Sequence, residues 1–255
     1  MRNSPGEQRN CEAEMTGRTT DDPTPAEPTS PSPLEAALVA RGSRIALAGF
    51  VFSVLFVIAW LLLRGSPSFS STDDELTGYY LDPDQRRSSA IAGLYVIPLA
   101  CIAFIWFMAA LRDRYLRSAS RENTILSTAQ VVAGALVVTS LFTVAAVELA
   151  VVWLAENGDL FDVDAARSLL AIGESTSDIM ALRSAAVFVG VSSTRAVRSG
   201  LFPRSYGVLS LVTALALLLV YGAVAGAVLL FPAWVAGSSV LILVRRRAID
   251  VADGA

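Results

Sequence analysis

The chain has 255 residues, 54% of them hydrophobic, with a mean hydropathy of +0.55 and a formal charge of −3. A soluble domain is about 45–50% apolar. Here the excess is gathered in long runs, which excludes an ordinary soluble globule and points to an all-α protein crossing a membrane several times. Histidine and lysine are both absent, which removes the commonest metal ligand, the usual base at neutral pH and any Schiff-base chemistry. The two cysteines, Cys11 and Cys101, have no shared spacing that would support a disulfide or a zinc site. No cofactor, metal or catalytic constellation is expected, and the expected partner is the lipid bilayer rather than nucleic acid.

Residues 1–36 are rich in proline, acid, Ser and Thr, as in "DDPTPAEPTSPSPLE". Such a composition buries too little apolar surface to offset ordering entropy, so a disordered tail is expected. The first apolar run begins only near residue 45, which is not the layout of a secretory signal peptide. A six-helix domain is expected over 37–247, with a short tail at 248–255.

The first three spans are read at 44–64, 90–111 and 128–154, with Pro98 as a kink in the second. A weaker fourth span is read at 168–193. The apolar run 206–244 is too long for one crossing, so it is divided around Gly222–Gly226 into spans 206–223 and 227–244. Pro203 should open the fifth helix and Pro232 should kink the sixth. The "GAVAG" at 222–226 reads as a tight hairpin more readily than as a dimer face.

Charge tests this division independently. Twelve arginines (41, 44, 112, 114, 117, 121, 195, 198, 204 and 245–247) fall in segments that six spans would put in the cytoplasm. Only four (64, 86, 87 and 167) fall on the other side. That is the positive-inside pattern, with both termini cytoplasmic. The outer segments are acidic, and "STDDELTGYYLDPD" within 65–89 reads as a solvated acidic loop without the pattern of a calcium loop. Trp60 and Trp153 fall where an interfacial belt is expected.

Four ionisable residues remain at membrane depth: Glu148 in the third span, and Glu174, Asp178 and Arg183 in the fourth. An Asp or Arg costs about 2.5–3.5 kcal/mol at the centre of a helix, so shielding is required. The helical rise places Glu148 and Glu174 at similar depth, with Asp178 one turn deeper. Gly173, Ser177, Ala181 and Ala185 form a small-residue ridge that should pack against a neighbouring helix. On one reading the three acids form a proton or ion relay, with Arg183 tuning them. On the other, 164–173 lies flat at the outer surface with Asp162 or Asp164 capping it. Glu174 is then interfacial, and Arg183 snorkels or pairs with a carbonyl. No inverted repeat between the two three-helix halves is apparent.

The stretches "RSGLFPRSYGVLSLVTALALLLV" (198–220), "LLFPAWVAGSSVLILVRRR" (229–247) and "DVDAARSLLAIGE" (162–174) resemble small six-helix membrane proteins of unknown function common in actinobacteria. The likeness covers roughly 43–247 and rests mostly on helix-boundary residues. It implies the six-helix fold and a plasma membrane location, and it brings no activity, ligand or site residue with it. The expected role is non-enzymatic, structural or regulatory. A small proton-coupled transporter or channel is the competing expectation.

Overall fold

The computed structural model describes residues 33–118, 124–157, 161–200, 202–219 and 226–252. The chain divides into two units, Met1–Ala37 and Leu38–Ala255. Of the first, only the start of helix α1 is described; the helical bundle belongs to the second. All described regular structure is helical: α1 Pro33–Leu63, α2 Asp73–Leu81, α3 Pro83–Ile91, α4 Ile97–Ser118, α5 Thr124–Glu156, α6 Val163–Ser175, α7 Leu182–Arg198, α8 Arg204–Leu219 and α9 Leu230–Ala252. A π-helical segment, Ala92–Val96, joins α3 to α4, and another, Thr176–Ala181, joins α6 to α7. Both 83–118 and 163–198 are therefore continuous helices.

Four helices are long and apolar enough to cross a membrane by length and composition: Ala46–Leu63, Pro83–Asp113, Thr124–Glu156 and Ala227–Val244. Arg204–Leu219 is apolar but shorter. The segment expected as a weak fourth span is helical over 163–198, and it is not one of these four.

Several expectations require correction. The segment 65–89 is not merely a solvated loop. Thr72 closes a capping box with Glu75, and Asp82 caps α3 ahead of Pro83, so two short helices form. Their residues Leu76 and Tyr80 are fully buried. Pro232 lies in the first turn of α9, just after the 3-10 turn Ala227–Leu229, where a missing N–H costs little; it is not a kink in a helix interior. At Pro98 the distortion takes the form of the π segment that ends two residues earlier, and the Ile97 N–H reaches back to Ala92. The stretch 164–173 is not a separate flat helix, because the backbone runs helically from α6 into α7. Of the two candidate caps, Asp162 is the one that caps it. Helix α1 begins at Pro33, inside the segment expected to be disordered, and α9 runs to Ala252, into the expected C-terminal tail. Residues 1–32, 220–225 and 253–255 lie outside the described residues, and with them most of the tail and the centre of the expected hairpin. Gly226, at φ 102°, provides the left-handed turn from which the last helix starts.

The bundle is built on aromatic rings. Phe104 of α4 stands at the hub, with ring centroids 5.0 Å from Phe52 of α1, 5.1 Å from Phe188 of α7 and 5.4 Å from Phe231 of α9. Between apolar helices in lipid, such packing and polar cross-links replace the hydrophobic effect as the force of association. Buried serines supply the cross-links. Ser53 donates to the Pro232 carbonyl at 2.9 Å, and the Trp234 indole donates to Ser210 at 2.8 Å. At the end where α7 turns into α8, Gln130 donates to Ser192 at 3.0 Å and accepts from the buried Arg195. Residues 64–91 and the facing ends of α5 and α6 form a crown at the opposite end. There Leu76, Tyr80, Val151, Val152, Ala155, Ala166 and Leu170 make a core of their own.

Candidate functional site

The crown gathers two of the four charged groups singled out from the sequence, Glu148 and Glu174. Glu148 lies on α5, two turns before its end. The Tyr80 hydroxyl reaches its Oε2 at 3.5 Å and the Ser66 hydroxyl at 3.2 Å. Burial, and after it the Glu148 carboxylate, hold the Tyr80 phenol above its ordinary range, so it stays protonated and donates. The neighbouring Tyr79 hydroxyl meets Ser88 at 2.9 Å and Ser89 at 3.2 Å.

Helix α6 grips the crown loop with two opposite charges. Arg167 Nη1 donates to the carbonyls of Phe69 (2.6 Å) and Ser71 (2.8 Å), and its Nη2 pairs with Asp73 at 2.5 Å. Seven residues on, and so on the same face, Glu174 Oε1 accepts from the Phe69 N–H at 3.0 Å. Phe69 is thus held at both its main-chain groups. Asp178 and Arg183 meet through the main chain, where the Arg183 guanidinium donates to the Asp178 carbonyl. Among the described residues no three acid or cysteine side chains come together in a way that could hold a metal ion.

The ridge of small residues faces inward. Gly173, Ala181 and Ala185 are buried and Ser177 is half-buried. A Cβ on Gly173 would come within 3.0 Å of Val147 Cγ1 on α5. Gly93 occupies the matching position on the other long helix, where a Cβ would lie 3.0 Å from the Ala145 carbonyl and 3.6 Å from Glu148 Cβ. The correspondence extends into the sequence. "DPDQRRSSAIAG" (82–93) and "DVDAARSLLAIG" (162–173) share Asp82/Asp162, Asp84/Asp164, Arg87/Arg167, Ser88/Ser168 and Gly93/Gly173, each 80 residues apart. In both, the first Asp caps the helix by accepting from the N–H of the second. Both glycines then bring a helix against α5 at the level of Glu148, and a π segment lies close by in each helix. This is a direct repeat, not an inverted one.

Just below this level is a cavity of about 140 Å³ between α1, α4, α5, α7 and α9. Its walls are apolar apart from Ser177 and the indole of Trp60; Ile97, Ala100, Val144 and Phe231 are among them. Sequence reading missed Tyr80 as the partner of Glu148, Ser66 as the partner of Tyr80, and Arg167 as the group that holds the crown loop. The capping signals of α2 and α3 were the available hint that the loop folds.

No family model, no curated protein and no solved structure matches the chain.

Proposed function

We propose that the chain is a multi-pass plasma-membrane protein with six crossings and cytoplasmic termini, acting without enzymatic chemistry as a structural or regulatory component. Helix α8 and the long helix 163–198 would add two crossings to the four long apolar helices. The twelve-to-four arginine asymmetry supports the orientation. The resemblance to small six-helix actinobacterial membrane proteins is part of the same proposal. One observation carries the non-enzymatic reading: three of the charged groups of α6 and α7 hold main chain, Arg167 and Glu174 on Phe69 and Arg183 on Asp178. Such groups support a fold and leave little to act on a substrate.

The test is topology and flux together. In a chain with Cys11 and Cys101 replaced by serine, Ser71→Cys should react with an impermeant maleimide on intact cells, and Gly200→Cys only after permeabilisation. The reverse labelling would overturn the orientation. In proteoliposomes under a pH gradient, no proton flux above empty vesicles is expected.

A second reading keeps Glu148, Glu174 and Asp178 as a proton relay tuned by Arg183. It is favoured by the contact chain from Glu148 through Tyr80 to Ser66, which runs from a half-buried carboxyl to the crown loop. Flux in the wild type that disappears in Glu148→Gln and Asp178→Asn, with folding intact, would establish it.

A further inference from the structure

We infer that the cavity beneath the crown holds a short segment of one acyl chain of an anionic phospholipid from the leaflet on the crown side, with the phosphate held by Arg64. The walls set the chemistry of the occupant. At about 140 Å³ the space is close to the 150 Å³ of an engineered cavity that stays dry and takes up hydrocarbon. Ser177 and Trp60 supply too little polarity to order a water cluster. Among membrane-crossing helices the abundant hydrocarbon is lipid tail.

The headgroup is indicated by what stands at the crown end of α1. Trp60 lines the cavity, and the exposed Arg64, one turn further along, lies over its ring at 5.6 Å. A guanidinium beside an interfacial indole is a ready partner for a lipid phosphate. The cavity's place in the fold is a third, independent observation. Ile97 and Ser177, both in its wall, are 80 residues apart like the paired residues of the direct repeat, so the space lies between equivalent turns of the two long helices. Sites in repeat-built membrane folds form at such junctions.

The inference rests on the proposed membrane location, and flotation of the protein with vesicles tests that location separately. The full chain is reconstituted in vesicles of phosphatidylcholine and phosphatidylglycerol in a 3:1 ratio, released into mild detergent and weighed by native mass spectrometry. One lipid per chain is expected, enriched in phosphatidylglycerol over its share of the vesicle. Ser177→Leu should lose at least tenfold of the retained lipid while floating and melting like the wild type. Ala59→Leu, which fills the opposite wall, provides the same test should the first variant not fold. Arg64→Gln should keep a lipid but lose the preference for phosphatidylglycerol. The inference is overturned if the floating wild type carries no lipid, if both filling variants retain lipid as the wild type does, or if benzene binds where no lipid is retained.

Discussion

Glu174 separates the two readings of the crown, because glutamine preserves one role and removes the other. In the structure its carboxylate accepts one hydrogen bond, from the Phe69 N–H at 3.0 Å. A bond to a charged acceptor contributes about 1.5–3 kcal/mol in general, and the exposure of Phe69 puts this one at the low end, about 1.5 kcal/mol. Glu174→Ala should therefore raise the opening constant of the loop about tenfold, at 1.4 kcal/mol per decade. A glutamine amide oxygen can accept the same N–H as a neutral group, which retains about 1 kcal/mol. Glu174→Gln should then speed exchange about twofold. The assay is amide hydrogen exchange at Phe69–Asp73 in detergent micelles, with proton flux measured on the same proteins. A relay would lose flux equally in both variants, since neither side chain titrates. If glutamine speeds exchange as much as alanine, the charge and not the acceptor holds the loop. If neither changes exchange, the clamp does not exist in solution.

Other contacts give further expected outcomes. Tyr80→Phe removes bonds to Ser66 and Glu148 while keeping the buried ring, and should lower thermal stability by about 1–2 kcal/mol, read from melting in detergent. Because the folded phenol is held above its ordinary value of 10.0, its contribution is complete below pH 10 and is lost as pH rises beyond it; ultraviolet titration should show a tyrosine that ionises only as the crown opens. Gly49→Ala places a Cβ on Ser239 Oγ and 2.7 Å from Phe107 Cδ2, so it should cost about 1–3 kcal/mol, and Ser239→Ala should restore part of that in the same melt. Arg183→Met leaves the Asp178 carbonyl without this donor and should destabilise the helix junction by about 1–2 kcal/mol, seen as faster exchange confined to 176–184.

The apolar runs were legible because hydropathy and length are local properties. The ends of α5 differ from the expected 128–154 by only a few residues. The crown was not legible in the same way. Its acidic composition suggested solvation, while its order comes from contacts far apart in the chain, such as Arg167 on Phe69 and Tyr80 on Glu148. Nothing local in "STDDELTGYYLDPD" says that Tyr80 is buried and Tyr79 only partly so. The direct repeat is faint in the sequence because it spans only twelve residues with five identities, and its two segments run parallel, each antiparallel to α5.

The π segment at 176–181 explains how the helix 163–198 carries its charges. Arg167 and Glu174, before that segment, face the crown loop. Within the π segment the Leu182 N–H goes to the Ser177 carbonyl, so the Asp178 carbonyl loses the donor that an α-helix would give it, and the Arg183 guanidinium takes that place. One extra residue also turns everything before it by about 100°. Without that turn, the face that sets Gly173 against Val147 and Arg167 against Phe69 could not coincide with the face that sets Ala181 and Ala185 into the bundle. The charges in "ESTSDIMALRS" therefore flank the extra residue that brings the two packing stretches of one helix onto a common face, and the cavity lies beside it.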